Sequence, residues 1–354
     1  MKNIIYLFGA GATQAVIKDI NSEKSLMTED IRSEIHKKFR RTGIPDQIWN
    51  ALMSENYDIE QIISMLESTY NFSLANKIRE FYQKSLIGLV REFSENLPSK
   101  NLYSVLSDLH ANVKPFKEEE KLLCYITLNY EDLLEKSIKK HLERKIDYNF
   151  GLNNNLKDKF NIIKLHGSFS WENSRPIKIR KLTRKKNFER LWIPPGIDKE
   201  KGNYPFNLLW GKVEEYLMEC DVLRIIGCSL SRNDWNLIPI LYTVQDLSTK
   251  KKRLEIEIID FPKTFDNISD TYNYLNLKCV TTLPEVIFYY NNLFPKINEQ
   301  TPREELDSLF TNNINKSNPF KQWLEMKIEY FMKKSNYKDI KTKKNFVYNF
   351  YNKE

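Results

Sequence analysis

Five short apolar runs constrain this chain more than any other feature: Ile4–Phe8, Leu122–Leu128, Ile162–Leu165, Val222–Ile226 and Leu254–Ile259. Runs of this length, rich in Ile, Val, Leu and Tyr, read as strands buried on both faces, the condition of strands in a parallel sheet. Between them the spacing turns helical. Ile59, Ile62, Ile63 and Leu66 follow the i, i+3, i+4, i+7 rule; Leu74, Ile78, Phe81, Leu89 and Phe93 mark a second helix, and Leu209, Val213 and Leu217 a third. Alternation of the two patterns predicts an α/β domain with helices flanking a parallel sheet.

The stretch from about 29 to 115 reads as wholly helical, a module inserted between the first two strands or packed beside them. Residues 301–354 form a second helical block, with Trp323, Met326, Ile328, Tyr330 and Phe331 near a Lys-rich tail, after a main domain over 1–300. Only 10 Gly and 13 Pro in 354 residues suit long helices and exclude collagenous or low-complexity architectures. With 41% hydrophobic and 29% charged residues the chain can bury a large core. The net charge of +8 is mildly basic, compatible with nucleotides, nucleic acid or an acidic partner without selecting among them.

Cys124, Cys220, Cys228 and Cys279 are far apart and form no C-x-x-C pair, which excludes a zinc site built from thiolate pairs and fits reduced cytosolic thiols. The N-terminus imitates a secretion signal, with Ala10-Gly11-Ala12 after an apolar run. Its apolar core is only Ile4–Phe8, however, with Lys2 as the sole basic residue before it. No run approaches the ~18 apolar residues of a membrane span. The expectation is a cytoplasmic protein without membrane attachment.

Each strand is followed by residues that carry chemistry. Gly9-Ala10-Gly11-Ala12-Thr13 closes the first; its glycines allow a tight turn and close approach to a pyrophosphate at a helix N-terminus, although a plain strand-to-helix turn uses the same residues and Gln14 stands where a third glycine would complete the dinucleotide fingerprint. Thr127-Leu128-Asn129-Tyr130-Glu131-Asp132 follows the second. Asn129 offers a donor and an acceptor for a ribose hydroxyl or a water, or else serves as a helix cap. Lys164-Leu165-His166-Gly167-Ser168 follows the third, with one of only four histidines at a strand end; it is a candidate base or an ordinary core histidine. Gly227-Cys228-Ser229, with Asp234 beyond it, and Asp260 end the last two runs, where amides, a hydroxyl and a carboxylate can meet phosphate or ribose.

In this order the motifs resemble the sirtuin family (silent information regulator type). That family carries Gly-Ala-Gly after the first strand, Thr-x-Asn-x-Asp after a middle strand, then His-Gly and Gly-x-Ser, and the match runs from residue 4 to about 260. Leu191-Trp192-Ile193-Pro194-Pro195 and the Asn-Tyr-acidic-x-Leu-Leu form look like the bacterial sirtuin-like branch associated with antiphage defence. The resemblance implies a Rossmann-like domain that cleaves the nicotinamide–ribose bond of NAD, with NAD as substrate and no metal. Asn129 and His166 would be catalytic. Gly9, Ala10, Gly11, Ala12, Thr13, Thr127, Gly227 and Ser229 would line the ligand, and Asp260 would meet the adenosine ribose. Two departures stand out. The family acid is Glu131 with Asp132 beside it, which leaves open the carboxylate that faces nicotinamide. Residues 168–221 hold one cysteine, Cys220, so the four-cysteine module of the deacylases is missing.

The expected activity is therefore NAD hydrolysis by an effector of bacterial antiphage defence, acting by NAD depletion (abortive infection). Control would come through a homo-oligomer or a defence partner such as a HerA-type ATPase or a short Argonaute-type nucleic-acid sensor. A catalytically silent NAD or ADP-ribose sensor or scaffold subunit is the alternative, with a zinc-free protein deacylase behind it. Three basic clusters read as solvated surface or as a docking face: Lys178, Arg180, Lys181, Arg184, Lys185 and Lys186; Lys250–Arg253; and Lys338, Lys341, Lys343 and Lys344. Trp323, Tyr330 and Phe331 read as core or oligomer contacts.

Overall fold

All five apolar runs lie on strands of one parallel sheet in a computed structural model that describes residues 1–20, 28–39, 43–54, 58–150, 159–181, 188–194, 202–231, 236–247, 254–280 and 318–334. Strand β1 (Lys2–Phe8) is buried from Ile4 onward and turns at once into α1 (Ala10–Ile20). A helical stretch follows: α2 (Thr28–Lys38), α3 (Asp46–Met53), α4 (Ile59–Ser68), α5 (Phe72–Glu95), α6 (Leu102–Asn112) and α7 (Lys114–Glu119). Next come β2 (Glu120–Thr127), α8 (Leu133–Leu142), β3 (Lys145–Asp147), β4 (Lys159–Lys164), β5 (Gly167–Glu172), β6 (Lys178–Ile179), β7 (Arg190–Trp192) and α9 (Phe206–Glu219). The described chain ends with β8 (Val222–Ile226), α10 (Leu237–Leu247), β9 (Glu255–Ile259), α11 (Pro262–Thr271), β10 (Leu277–Cys279) and α12 (Pro319–Lys334).

The sheet order is β10-β9-β8-β1-β2-β4-β3, and every pairing is parallel. The chain builds outward from β1 through β2 to β4, then crosses back to place β8, β9 and β10 on the other side. The order reverses at β1, and a ligand crevice opens outside the carboxyl ends of the strands at such a reversal. A second, antiparallel sheet of order β6-β5-β7 grows out of the segment after His166. The reading from apolar runs missed it, as it missed β3 and β10: β6, β7, β3 and β10 have two or three residues each, and β5, in which Ser168, Phe169, Ser170 and Trp171 alternate, has no continuous apolar run. Its burial comes from packing among Tyr130, Phe169, Trp171, Trp192, Tyr148 and Phe150.

Local signals start the helices. The Asp58 carboxylate accepts the Glu60 N–H at 2.8 Å and opens α4. Asn101 and Ser104 form a reciprocal capping box at the start of α6, which sets the rotation of that helix over the sheet. One sheet face is aromatic. Tyr6, Phe8 and Tyr125 meet Tyr103 of α6 and Phe320 and Trp323 of α12. Trp323 is thus core; the side chains of Tyr330 and Phe331 lie outside the described residues, as do Asp234, Pro195, Arg184, Lys185, Lys186, Lys250–Arg253 and the lysines after 334. Lys178, Arg180 and Lys181 are exposed, with Arg180 paired to Glu172 at 2.7 Å. Among the described residues no helix is long and apolar enough to cross a membrane.

On that aromatic face a charged row is buried. Tyr6, Arg224 and Glu257 are register neighbours on β1, β8 and β9. Arg224 grips Glu120 through two bonds of 2.6 and 2.7 Å, reaches Glu257 at 2.7 Å and donates to the Tyr6 hydroxyl at 2.9 Å. Lys327 of α12 joins Glu120 at 3.4 Å, so the C-terminal helix is tied to the same cluster. Burial pushes the Glu120 carboxyl up, but Arg224 and then Lys327 outweigh it and hold the group at about 2. The Tyr6 hydroxyl lies 2.9 Å from His110 Nε2. Having accepted from Arg224, it donates to His110, which needs a neutral ring. Burial lowers the His110 pKa to about 3, with Arg224 and Lys327 reinforcing it against Glu120.

Both shifts act in one direction. A histidine of depressed pKa stabilises the fold fully above its unfolded value of 6.5, and that contribution drains away as pH falls toward 3. Glu120 adds its own loss below 4.5. Thermal melts of the intact protein are expected to lose stability from pH 6.5 downward, on the order of 2 kcal/mol by pH 4.5. His110→Phe is expected to remove the limb above pH 4.5 and to make the acid limb below it shallower, since only the Glu120 contribution of the pair remains.

Candidate active site at the order reversal

The turn after β1 closes against the turn after β8. Gly9 donates its N–H to the Ile226 carbonyl at 3.1 Å and Gly11 donates to the Gly227 carbonyl at 2.8 Å. Two of the amides read as phosphate donors are therefore spent in joining the strand ends. Contact at this range requires bare backbone. A β-carbon on Gly227 would lie 2.0 Å from the Ala12 nitrogen, and one on Gly9 2.5 Å from the Gly227 oxygen. Gly227 also has φ +56°, a left-handed conformation that glycine adopts at little cost. Ala10 is exposed at the helix start, while Ala12 and Thr13 are buried beneath it.

Asn129 reaches this turn from the end of β2. Its Nδ2 donates to the Gly9 carbonyl at 2.9 Å and to Thr13 Oγ1 at 3.1 Å. A carbonyl only accepts, so the amide orientation follows: the nitrogen faces the turn and Oδ1 faces away from it. Thr13 donates its own proton to Glu131 Oε1 at 2.5 Å, and Glu131 Oε2 accepts the Leu133 N–H at 2.6 Å at the start of α8. Glu131 is buried and engaged at both oxygens. Asp132 pairs with Lys136 at 2.8 Å along α8. Thr127 Oγ1 accepts the Asn129 N–H at 3.0 Å and shapes the loop.

His166 stands beside Asn129. Its Nδ1 lies 3.2 Å from the carbonyl oxygen of Leu128, the residue preceding Asn129. Nδ1 must donate there, which leaves the lone pair of the neutral ring on Nε2. The Ile193 N–H, just past β7, donates to the His166 backbone carbonyl at 2.9 Å, and the Tyr130 ring centroid lies 6.0 Å from that of the imidazole. Gly167, at φ +73°, lets the chain leave β4 for β5; a β-carbon there would meet the Leu191 oxygen at 2.5 Å.

Beneath the loop, the fully buried Lys164 donates to the Glu131 carbonyl and pairs with the equally buried Glu135 at 3.1 Å. Burial raises the Glu135 pKa; Lys164 opposes this, while Asp132 and Glu131 add to it. Nothing in the sequence marked Glu135 or Tyr103 as part of this site: both sit inside helices without a motif. Of the other expected ligand residues, Ser229 is exposed just past Gly227. The Asp260 carboxylate accepts the Phe261 N–H at 2.7 Å in its own turn, and burial raises its pKa. Among the described residues, no three His, Cys, Asp or Glu side chains converge as a metal would require.

Residues 123–273 match the family model of the SIR2-like domain. The matched segment begins in β2 and ends beyond α11, so it contains Asn129, His166, Gly227 and Asp260. No curated protein matches the chain significantly. Among solved structures, a Sir2 homolog in complex with NAD shares 14% identity over 81% of this chain and 86% of its own, with a TM-score of 0.33. A Sir2 enzyme studied for mechanism and regulation shares 14% over 83% and 94%, with a TM-score of 0.37. A variant Sir2 homologue with ADP-ribose shares 15% over 84% and 95%, at 0.33. At these scores the superpositions add nothing to the topology already described.

The glycine contact yields a sharp expectation. Gly227→Ala combines a clash with Ala12 and an unfavourable φ, and is expected to destabilise the protein by about 3 kcal/mol or more. Urea unfolding measures this, with Gly202→Ala, which meets nothing within 4 Å, as the neutral control.

Proposed function

We propose that this protein binds NAD in the crevice at the end of β1 and hydrolyses its nicotinamide–ribose bond. The observation that carries the reading is the meeting of two neighbouring strand-end loops: the His166 imidazole, after β4, bonds the Leu128 carbonyl just before Asn129 in the loop after β2, and the Asn129 amide is turned so that Oδ1 faces away from the glycine turn. The SIR2-like match, which contains both residues, supports it.

The chemistry asks little beyond position. The bond between C1′ of the ribose and the pyridinium nitrogen breaks, its electron pair leaves with nicotinamide, and the sugar becomes oxocarbenium-like. Oδ1 of Asn129 accepts from the attacking water or the adjacent ribose hydroxyl and orients it. Water oxygen bonds to C1′, and its proton passes to Nε2 of His166 and then to solvent. The products are nicotinamide, ADP-ribose and a proton.

Such an activity in a cell must be held in check. We assign it to an effector of antiphage defence that acts by NAD depletion and is controlled by self-assembly or by a partner, a HerA-type ATPase or a short Argonaute-type sensor being the kinds that the sirtuin-like resemblance suggests. A second reading, a subunit that holds NAD or ADP-ribose intact, has one observation in its favour: Glu131 is engaged by Thr13 and Leu133 at both oxygens. Nicotinamide release from NAD, followed with and without the partner, decides between them. Asn129→Ala and His166→Ala are each expected to lower release by about 10²–10⁴-fold with the melting temperature preserved. Activity surviving in both variants would show that the site is misassigned. Calorimetric binding of intact NAD without turnover in any assembly state would establish the binding reading instead.

A further inference from the structure

The Thr13 hydroxyl has one proton and two lone pairs. The proton goes to Glu131 Oε1 at 2.5 Å, and one lone pair accepts Asn129 Nδ2 at 3.1 Å. The remaining partner is the Tyr103 hydroxyl at 2.9 Å, which must then be a donor. The polarity of the chain is set throughout: Tyr103 donates to Thr13, Thr13 donates to Glu131, and Asn129 donates to Thr13. We propose that Tyr103 is a positioning residue for Asn129, acting through Thr13, and that α6 thereby forms part of the active site. This rests on the nicotinamide-cleaving role proposed for Asn129.

Tyr103 is built to hold still. Its N–H is bonded to the cap residue Asn101 at 3.1 Å, and its ring packs edge-on against Phe8 at 5.1 Å and against Phe320 of α12 at 6.0 Å. The side chain is 1% exposed. Burial keeps the phenol protonated, the Glu131 and Glu135 carboxylates add to this, and the bond to Thr13 only partly opposes them. Without the Tyr103 donor the Thr13 hydroxyl keeps only its bonds to Glu131 and Asn129, so the oxygen that receives the Asn129 amide is held from one side fewer. Helix α12 touches this arrangement through Phe320 on Tyr103, and its Lys321 and the preceding Asn318 bond Asp19 and Ala15 of α1, the helix that carries Thr13, at 2.6 and 2.7 Å.

Tyr103→Phe removes one oxygen and keeps the ring. In the full-length protein its kcat for nicotinamide release is expected to fall about tenfold, with KM for NAD within about twofold, since one hydrogen bond contributes on the order of 1 kcal/mol. Thr13→Val is expected to match or exceed that loss, and the double variant to equal Thr13→Val alone. Losses that multiply would overturn the route through Thr13. Asparagine-selective ¹⁵N spectra supply a readout independent of turnover: the Asn129 side-chain amide pair, assigned by its absence in Asn129→Asp, is expected to shift and exchange faster in Tyr103→Phe. An unmoved pair overturns the proposal whatever the kinetics. A pair that moves in a protein releasing no nicotinamide upholds the positioning and defeats the catalytic reading. If Tyr103→Phe does not fold, Thr13→Ser, which keeps the hydroxyl but frees its rotation, is expected to loosen the same pair, and an unchanged pair overturns the proposal.

Discussion

Everything at the candidate site depends on how closely two backbone turns approach each other. Gly227 presses on Gly11 and Ala12 at distances no side chain allows, and the N–H groups of Gly9 and Gly11 bond across the gap. This contact sets the separation of the β1 and β8 ends and leaves the Gly9 carbonyl pointing at the Asn129 amide. Parallel strands alone would not produce it. They bring their carboxyl ends to one edge, but only bare backbone lets those ends interlock.

Two polar networks occupy different parts of the molecule and serve different ends. Around Arg224, charges from β2, β8, β9 and α12 are all paired, with Tyr6 and His110 completing the bonds. Removing one member of such a cluster leaves a buried charge uncompensated, a cost of about 3–5 kcal/mol. Around Thr13 the groups are hydroxyls, an amide and one carboxylate, and each bond fixes the direction of the next. The first network holds α12 to the sheet; the second aims a side chain. Phe320 and Trp323, three residues apart on α12, reach one network each.

Much of the site was legible because its residues sit at strand ends, where apolar runs stop and small or polar residues begin. Asn129 and His166 could be named as candidates for that reason, with a helix cap and an ordinary core histidine as the alternatives, and the order of the motifs gave them their catalytic reading. Glu131 could be named but not placed: whether it or Asp132 faces a ligand depends on the rotation of α8, which puts Asp132 beside Lys136 and Glu131 against Thr13. Tyr103 and Glu135 left no signal, because a buried hydroxyl or carboxylate inside an amphipathic helix looks like any other until its partner on another element is known. The second sheet went unread because β6 and β7 have two or three residues and β5, though six long, alternates serine with aromatic residues and has no apolar run.

The amino-acid order by itself determined the class of fold, the positions of the five principal strands and the glycines their turns require, because burial on both faces and backbone freedom are local demands on residue type. Tertiary structure alone decided which polar groups meet. Residues 13, 103, 129 and 131 are up to 118 positions apart, and their hydrogen bonds exist only because β1 and β2 lie side by side with α6 packed across them. Hydrogen-bond direction is a property of such neighbours in space, and no pattern along the chain encodes it.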